Sequence, residues 1–544
     1  MRRTAIWLVA VGLGVSVVDG DSRAAVATSN LTATVQQIDA MLDTWRFKDA
    51  ATALAALEKT APNAPATAYL SGYQKFLTGD YDGAVRALSV AAQADPSNPE
   101  IRSLAELAKA ARDAVKDYRE ERSAHVIVRY AAEDAVLMPY ARDTLEAAYT
   151  ALHDDLGFEA ELPIRVEFYR SPSDLAAVSS LSVAEVARTG TIALCKWARL
   201  MVTTPRALAY GYPWLDSINH ELVHYAVSTL TGDRAPVWLQ EGLAKFLERR
   251  WREPAGGRIP PPMEHLLAKA LRSGHLITFE AMHPSMAKLP SAEDATLAFA
   301  EVENAVAYLY DKGGMPALRD AIKRVGAGED ARQAVAAAAG GGWPEFERGW
   351  RAFMAAQHYR TFPGIDIPTT HVRKANAIAS GRNPAEEDAL SSTLKAGAPF
   401  RYLRLGNMLL RRERPRAAVA EYEKGAKAVG SGVRGDPSAN WVFPVKLGRT
   451  YLALGEPDRA LKALAPVQAI YPDLPWPNLI AGEAQLALGD APAAITSLRA
   501  SLATNPFDPR VHCALAAAYA KTATRPAEAV IAREQQFCKQ LGAE

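Results

Sequence analysis

Trp214-Leu215-Asp216-Ser217-Ile218-Asn219-His220-Glu221-Leu222-Val223-His224 decides the reading of this chain, because it sets two histidines four residues apart on a helical apolar pattern. At about 100° per residue, positions i and i+4 lie only about 40° apart around a helix, so both imidazoles can reach one ion. Glu221 points beside that face, where it can hold a water without being a ligand. Twelve residues after His224, Pro236-Val237-Trp238-Leu239-Gln240-Glu241-Gly242-Leu243-Ala244 opens a second helix, which puts Glu241 seventeen residues after His224. Pro236 is tolerated in its first turn, where the missing N–H has no partner to lose. Glu241 falls on that helix and completes two histidines and one carboxylate, the donor set of a catalytic Zn2+ that keeps its fourth position for water.

Upstream, Val126-Ile127-Val128 and Ile164-Arg165-Val166-Glu167-Phe168 read as short strands around a helical stretch from Val136 to Leu156. A further extended stretch runs from Thr189 to Thr204. Both ends of the chain repeat themselves. Gly448, Gly482 and Ala516 are spaced by 34 residues, as are Pro472 and Pro506, and Ala460 and Ala494 follow their glycines by 12. That is the period of tetratricopeptide helix pairs, in which a small residue lets two helices approach and a proline ends the second. Leu405-Gly406 with Ala418 opens the series one repeat earlier, stretched by an insertion around Gly430 to Gly435, so four repeats are expected behind. In front, Ala50 and Ala84, and Pro62 and Pro96, are also 34 apart. Two repeats fall short of the three or more that usually stand alone, so the front pair should pack on its neighbouring domain or on the rear array. The solenoid offers a concave surface for a protein partner, and a packing scaffold is the alternative.

With 62 Lys plus Arg against 61 Asp plus Glu, and no basic run beyond scattered pairs and triplets such as Arg411 to Arg414, the sequence argues against a nucleic-acid partner. The apolar fraction of 49% argues against disorder. Arg2-Arg3 precede an uncharged stretch from Thr4 to Val18, too short to span a bilayer as a helix but suited to an export signal. Ser22-Arg23-Ala24 offers a cut before Ala25. The expected mature protein has no membrane span and is periplasmic or secreted; an uncleaved anchor is the alternative. Cys513 and Cys538 lie on helices of the final repeat region, and both a disulfide and two buried thiols are open to them. Cys195 reads as a small buried hydrophobe.

The middle of the chain resembles the gluzincin metallopeptidases, and more closely the peptidase MA-like family often fused to tetratricopeptide repeats. The likeness rests on Met201-Val202-Thr203-Thr204-Pro205, the two motifs quoted first, Tyr308-Leu309-Tyr310-Asp311-Lys312-Gly313-Gly314 and Trp343-Pro344-Glu345-Phe346-Glu347. It implies that His220, His224 and Glu241 carry Zn2+, that Glu221 is the general base of peptide-bond hydrolysis, and that the strands before the zinc helix line the cleft. The metzincin pattern fails, because Val227 and Leu230 stand where it needs Gly and His.

Two departures follow. Gluzincins add a Tyr or His that stabilises the oxyanion, whereas Phe299 stands where a Tyr is expected; Tyr225, Tyr308 and Tyr310 are unranked substitutes. Thermolysin-type sites place an acid four residues after the glutamate ligand; Lys245 stands there, so the acceptor for a zinc histidine should be Asp216 or backbone. Gly340-Gly341-Gly342 lacks the Lys-Ser/Thr of a phosphate loop and reads as a turn. The expected organisation is multidomain and mainly α: a signal peptide over 1–24, front repeats over 30–118, an α+β zinc domain over 122–358, a linker over 359–395 in which His371 is solvated, and rear repeats over 396–544. A catalytically inactive metallopeptidase-like interaction scaffold is the competing function.

Overall fold

The computed structural model describes residues 21–256, 259–283, 285–362, 365, 372–373, 397–430, 439–523 and 526–542. The apolar leader, most of the linker with His371, and the insertion after Gly430 lie outside the described residues. No helix among the described residues is long and apolar enough to cross a membrane.

The chain is multidomain and mainly α. Five helices open it: α1 (Asp21–Asp43), α2 (Phe47–Thr60), α3 (Pro65–Thr78), α4 (Tyr81–Ala94) and α5 (Pro99–Val115). The expected cut after Ala24 falls in the first turn of α1. Four more helix pairs close the chain: Gly397–Arg411 with Pro415–Gly430, Ala439–Ala453 with Pro457–Ile470, Pro475–Ala487 with Ala491–Leu502, and Pro509–Lys521 with Glu528–Gly542. The small residue of the repeat has one physical cause in both arrays. A Cβ on Gly72, Gly448 or Gly482 would stand 2.6, 2.8 or 2.5 Å from Leu88, Leu464 or Leu498, each sixteen residues on, where the paired helix crosses.

Between the arrays lies a five-stranded sheet of order β1-β2-β3-β5-β4, built from β1 (Arg119–Arg122), β2 (Val126–Tyr130), β3 (Ile164–Tyr169), β4 (Ala193–Lys196) and β5 (Arg199–Thr203). The stretch read as extended from Thr189 to Thr204 is instead a hairpin, broken by Trp197 and Ala198, both at φ 52°. The left-handed pair turns the chain tightly enough for β4 to run antiparallel to β5. Strand β1 is fully exposed and charged, so it carries no apolar alternation for a sequence reading to find. Helix α6 (Met138–Leu156) starts two residues later than expected, after a 3-10 turn over Ala132–Leu137.

The middle domain's helices follow: α7 (Pro172–Ala177), α8 (Val183–Thr189), α9 (Trp214–Thr231), α10 (Val237–Leu247), α11 (Pro261–Ser273), α12 (Ala292–Gly326), α13 (Ala331–Ala338) and α14 (Trp343–Ala356). The three glycines at 340–342 form the turn between α13 and α14, with Gly342 as the N-cap of α14.

Both arrays pack on this domain. In front, Tyr81 Oη donates to Glu167 Oε1 at 2.6 Å, Arg165 Nη1 donates to Tyr81 Oη at 3.2 Å, and Arg129 Nη1 donates to the Gly79 carbonyl at 3.1 Å. Behind, Tyr140 Oη donates to Glu534 at 2.7 Å, and the Tyr210 ring stands edge-on to Trp441 and Trp476 at 5.8 and 5.6 Å. Part of the rear array's aromatic surface is thus already covered by this chain's own Tyr210. One continuous core runs from Val35 through the middle domain and includes Phe507 of the last repeat.

Candidate metal centre

Helix α9 is pinned at both ends of its motif. Trp214, fully buried, donates from its backbone N–H to the Ala503 carbonyl at 3.2 Å and from Nε1 to the Leu502 carbonyl at 3.3 Å. First-turn amides have no partner within their own helix, so the Ala503 carbonyl caps one of them while the Leu502 carbonyl anchors the indole. Asn219 Nδ2 donates to the carbonyls of Leu247 and Glu248 at 3.0 and 2.6 Å, which caps the C-terminus of α10 and fixes its register against α9. Gly242 lets α10 sit hard on α12, because a Cβ there would lie 2.8 Å from the Val302 carbonyl oxygen.

This packing brings His220, His224 and Glu241 together. Nε2 of His220 and Nε2 of His224 are 3.2 Å apart, and they lie 3.3 and 3.4 Å from Glu241 Oε2. A tetrahedral ion with bonds of about 2.0–2.1 Å requires its donor atoms to be about 3.3–3.4 Å from one another. The three residues therefore fit Zn2+ by the spacing of the donors themselves. Their side chains keep 15, 15 and 23% exposure, so the cluster opens to solvent.

Glu221 stands beside the cluster, buried, and accepts a hydrogen bond from the Cys195 backbone N–H on β4. Burial raises its pKa, His224 and His220 oppose that, and Glu241 adds to it. Burial works against a charge on His220, yet its hydrogen bonds to Glu241 and Glu248 prevail and push it up to about 10. Burial would raise Glu241, but the charges and hydrogen bonds of the two histidines hold it well below the usual carboxylate range.

The histidines are oriented by residues that the sequence reading missed. His220 Nδ1 lies 3.2 Å from Glu248 Oε2, and His224 Nδ1 lies 3.2 Å from Gln240 Oε1. The expected acceptor, Asp216, is taken: it receives Arg252 Nη2 at 2.7 Å and Trp251 Nε1 at 3.0 Å. Lys245 explains the exchange, since its Nζ donates to Glu248 at 2.7 and 2.9 Å and holds that carboxylate seven residues past Glu241. The signal was readable as a Lys–Glu pair three apart on one helix face.

Tyr225 packs on Trp45 at 4.9 Å, Tyr310 on Phe246 at 5.3 Å, and Tyr308 on Phe346 at 5.2 Å. All three tyrosines offered as oxyanion donors are thus engaged in aromatic packing. Cys195 is a free, half-buried cysteine, and Cys513 is disulfide-bonded to Cys538.

Residues 144–356 match the family model of the Peptidase MA superfamily, and residues 451–521 match that of the tetratricopeptide repeat. No curated protein matches the chain. Among solved structures, it aligns with the crystal structure of the APC/C hetero-tetramer Cut9-Hcn1 at 13% identity, over 95% of this chain and 98% of that one, with a TM-score of 0.21. It also aligns with yeast Tom70 at 10% identity, over 95% and 96% of the two chains, with a TM-score of 0.17. Superpositions that loose carry nothing further about this chain.

Proposed function

We propose, for a chain that joins a Peptidase MA superfamily domain to tetratricopeptide repeats, that it is an exported zinc-dependent peptidase whose repeats engage a protein partner. The observation that carries this reading is the convergence of three donor atoms at 3.2–3.4 Å, with Glu221 beside them and not among them.

His220, His224 and Glu241 would hold the ion, which supplies Lewis-acid polarisation of a carbonyl and eases deprotonation of water. Glu221 takes the proton from the attacking water and returns it to the leaving nitrogen. Burial raises its pKa, so the carboxylate is a readier base than an exposed glutamate, and the Cys195 N–H holds it in place. Glu248 and Gln240 keep the two imidazoles turned toward Glu241. Strand β4 lies at the sheet edge beside α9, where an extended peptide can add as a further strand. The Cys513–Cys538 disulfide supports export to an oxidising compartment.

The test is turnover of a peptide library with and without chelator, beside metal content, for the parent protein, Glu221→Gln and Glu241→Gln. Glu221→Gln should lose turnover and keep its zinc, while Glu241→Gln should lose both. Equal activity of Glu221→Gln and parent would overturn the reading. The inactive-scaffold alternative is favoured by the packing of all three candidate tyrosines, and a zinc-loaded parent that cleaves nothing would establish it.

A further inference from the structure

The first helix pair of the rear array carries a charge pattern that the run of the sequence conceals. Residues 397–430 hold eight basic residues against three acidic ones, in a chain whose formal net charge is only +1. On Gly397–Arg411, Arg401, Arg404 and Arg411 are separated by three and seven residues, and Arg412 falls about 20° from Arg401 around a continued helix. Arg414 and Arg416 extend the group across the turn into Pro415–Gly430. All six arginines are exposed, and none makes a salt bridge among the described residues. Leu405, 43% exposed, lies in the middle of the row.

Helix stability accounts for Arg411, a cation in the last turn of Gly397–Arg411, but not for the rest of the group. Cations are unfavourable at a helix N-terminus, yet the first turn of Pro415–Gly430 contains Arg416 and no acidic residue. A solvated surface usually mixes both signs, and elsewhere this chain does: Arg449 meets Glu483 at 2.6 Å and Arg459 meets Glu456 at 2.7 Å. The row from Arg401 to Arg412 is about 16 Å long, which matches about five residues of extended chain. No exposed large aromatic side chain is interleaved with it among the described residues, so the stacking surface that single-stranded nucleic acid uses is missing.

We infer that this face of the rear array is a docking surface for an extended acidic segment of a partner protein, with an apolar side chain seated on Leu405. The arginine guanidinium is suited to paired contacts with carboxylates, and several of them in a row give both affinity and direction. The surface is independent of the zinc cluster, so the inference stands or falls apart from peptidase activity.

The experiment uses the full chain and a fluorescein-labelled ten-residue peptide of eight glutamates and two central leucines, read by anisotropy. Binding should weaken by about tenfold or more between 50 and 300 mM NaCl, because the contacts are exposed ion pairs. The triple variant Arg404→Ser/Arg411→Ser/Arg412→Ser should lose about tenfold or more in affinity with an unchanged melting curve. Lys59→Ser/Arg102→Ser/Lys109→Ser, which removes the same charge from the exposed front array, should bind like the parent. Equal loss in both triples would overturn the inference. So would tighter binding to phosphatidylglycerol vesicles, or to a single-stranded oligonucleotide, than to the peptide.

Discussion

Replacing Glu248 by Ala tests the centre without relying on turnover. Glu248 Oε2 is the only carboxylate oxygen at hydrogen-bond distance from His220 Nδ1 among the described residues, and the pair is largely shielded from solvent. Its loss leaves that ring nitrogen without its acceptor and leaves Lys245, 16% exposed, without its partner. Removal of such an outer partner typically costs about 10–100-fold in metal affinity, or about 1.4–2.7 kcal/mol. The upper half of that range is expected for Ala, because two buried groups are orphaned together. Glu248→Gln keeps an acceptor oxygen for Nδ1 and should lose only about tenfold. Part of the cost is recovered through Glu303, which burial pushes up to about 7 and which lies close enough to feel Lys245 and Glu248. Without Glu248 the carboxyl of Glu303 should ionise more readily and take over Lys245. The assay is competition for zinc against a chromophoric chelator at pH 7.5, with circular dichroism to show that the fold is kept. A zinc affinity for Glu248→Ala within twofold of the parent would refute the assigned role.

Zinc affinity should also rise with pH. In the metal-free protein His220 keeps its proton up to about 10, and a bound cation must displace it. Between pH 6.5 and 8.5 the apparent affinity should climb roughly tenfold per pH unit from this group alone, and a flat profile would contradict it. Gly211→Ala should loosen the rear array: Gly211 has φ +67°, and a Cβ there would stand 2.1 Å from the Thr504 carbonyl oxygen. About 1–3 kcal/mol of lost stability is expected in urea, together with reduced zinc occupancy. The Cys513–Cys538 bridge spans 25 residues and should contribute roughly 3.5 kcal/mol to stability. Alkylation of the unfolded chain should label one cysteine without reductant and three with it.

What the sequence disclosed depended on whether the physics was local. His220 and His224 share a helix face by the pitch of the helix, and Glu241 was findable because Pro236 marks where its helix begins. The 34-residue period was visible because Gly448 and Gly482 answer the same crowding against Leu464 and Leu498. The acceptor for His220 was missed because the rule of an acid four residues past the ligand pointed at Lys245, although the Lys245–Glu248 pair three apart on one helix face carried the signal. The union of Trp214 with Leu502 was out of reach for another reason. Nothing in either segment names a partner 288 residues away. The arginine row was hidden in the same way, since helical spacing scatters Arg401, Arg404 and Arg411 along the text.

The carbonyls of Ala503 and Leu502, which take the backbone amide and the indole N–H of Trp214 at the start of α9, have a bearing on how this protein can be divided. The segment matched by the Peptidase MA superfamily ends at 356, but cutting there strips Trp214 of its shelter and takes Phe507 out of the shared interior. The smallest autonomous piece that carries the histidine pair therefore reaches into the last repeats. A force applied to the solenoid has a short route, through one hydrogen-bonded amide, to the position of both imidazoles.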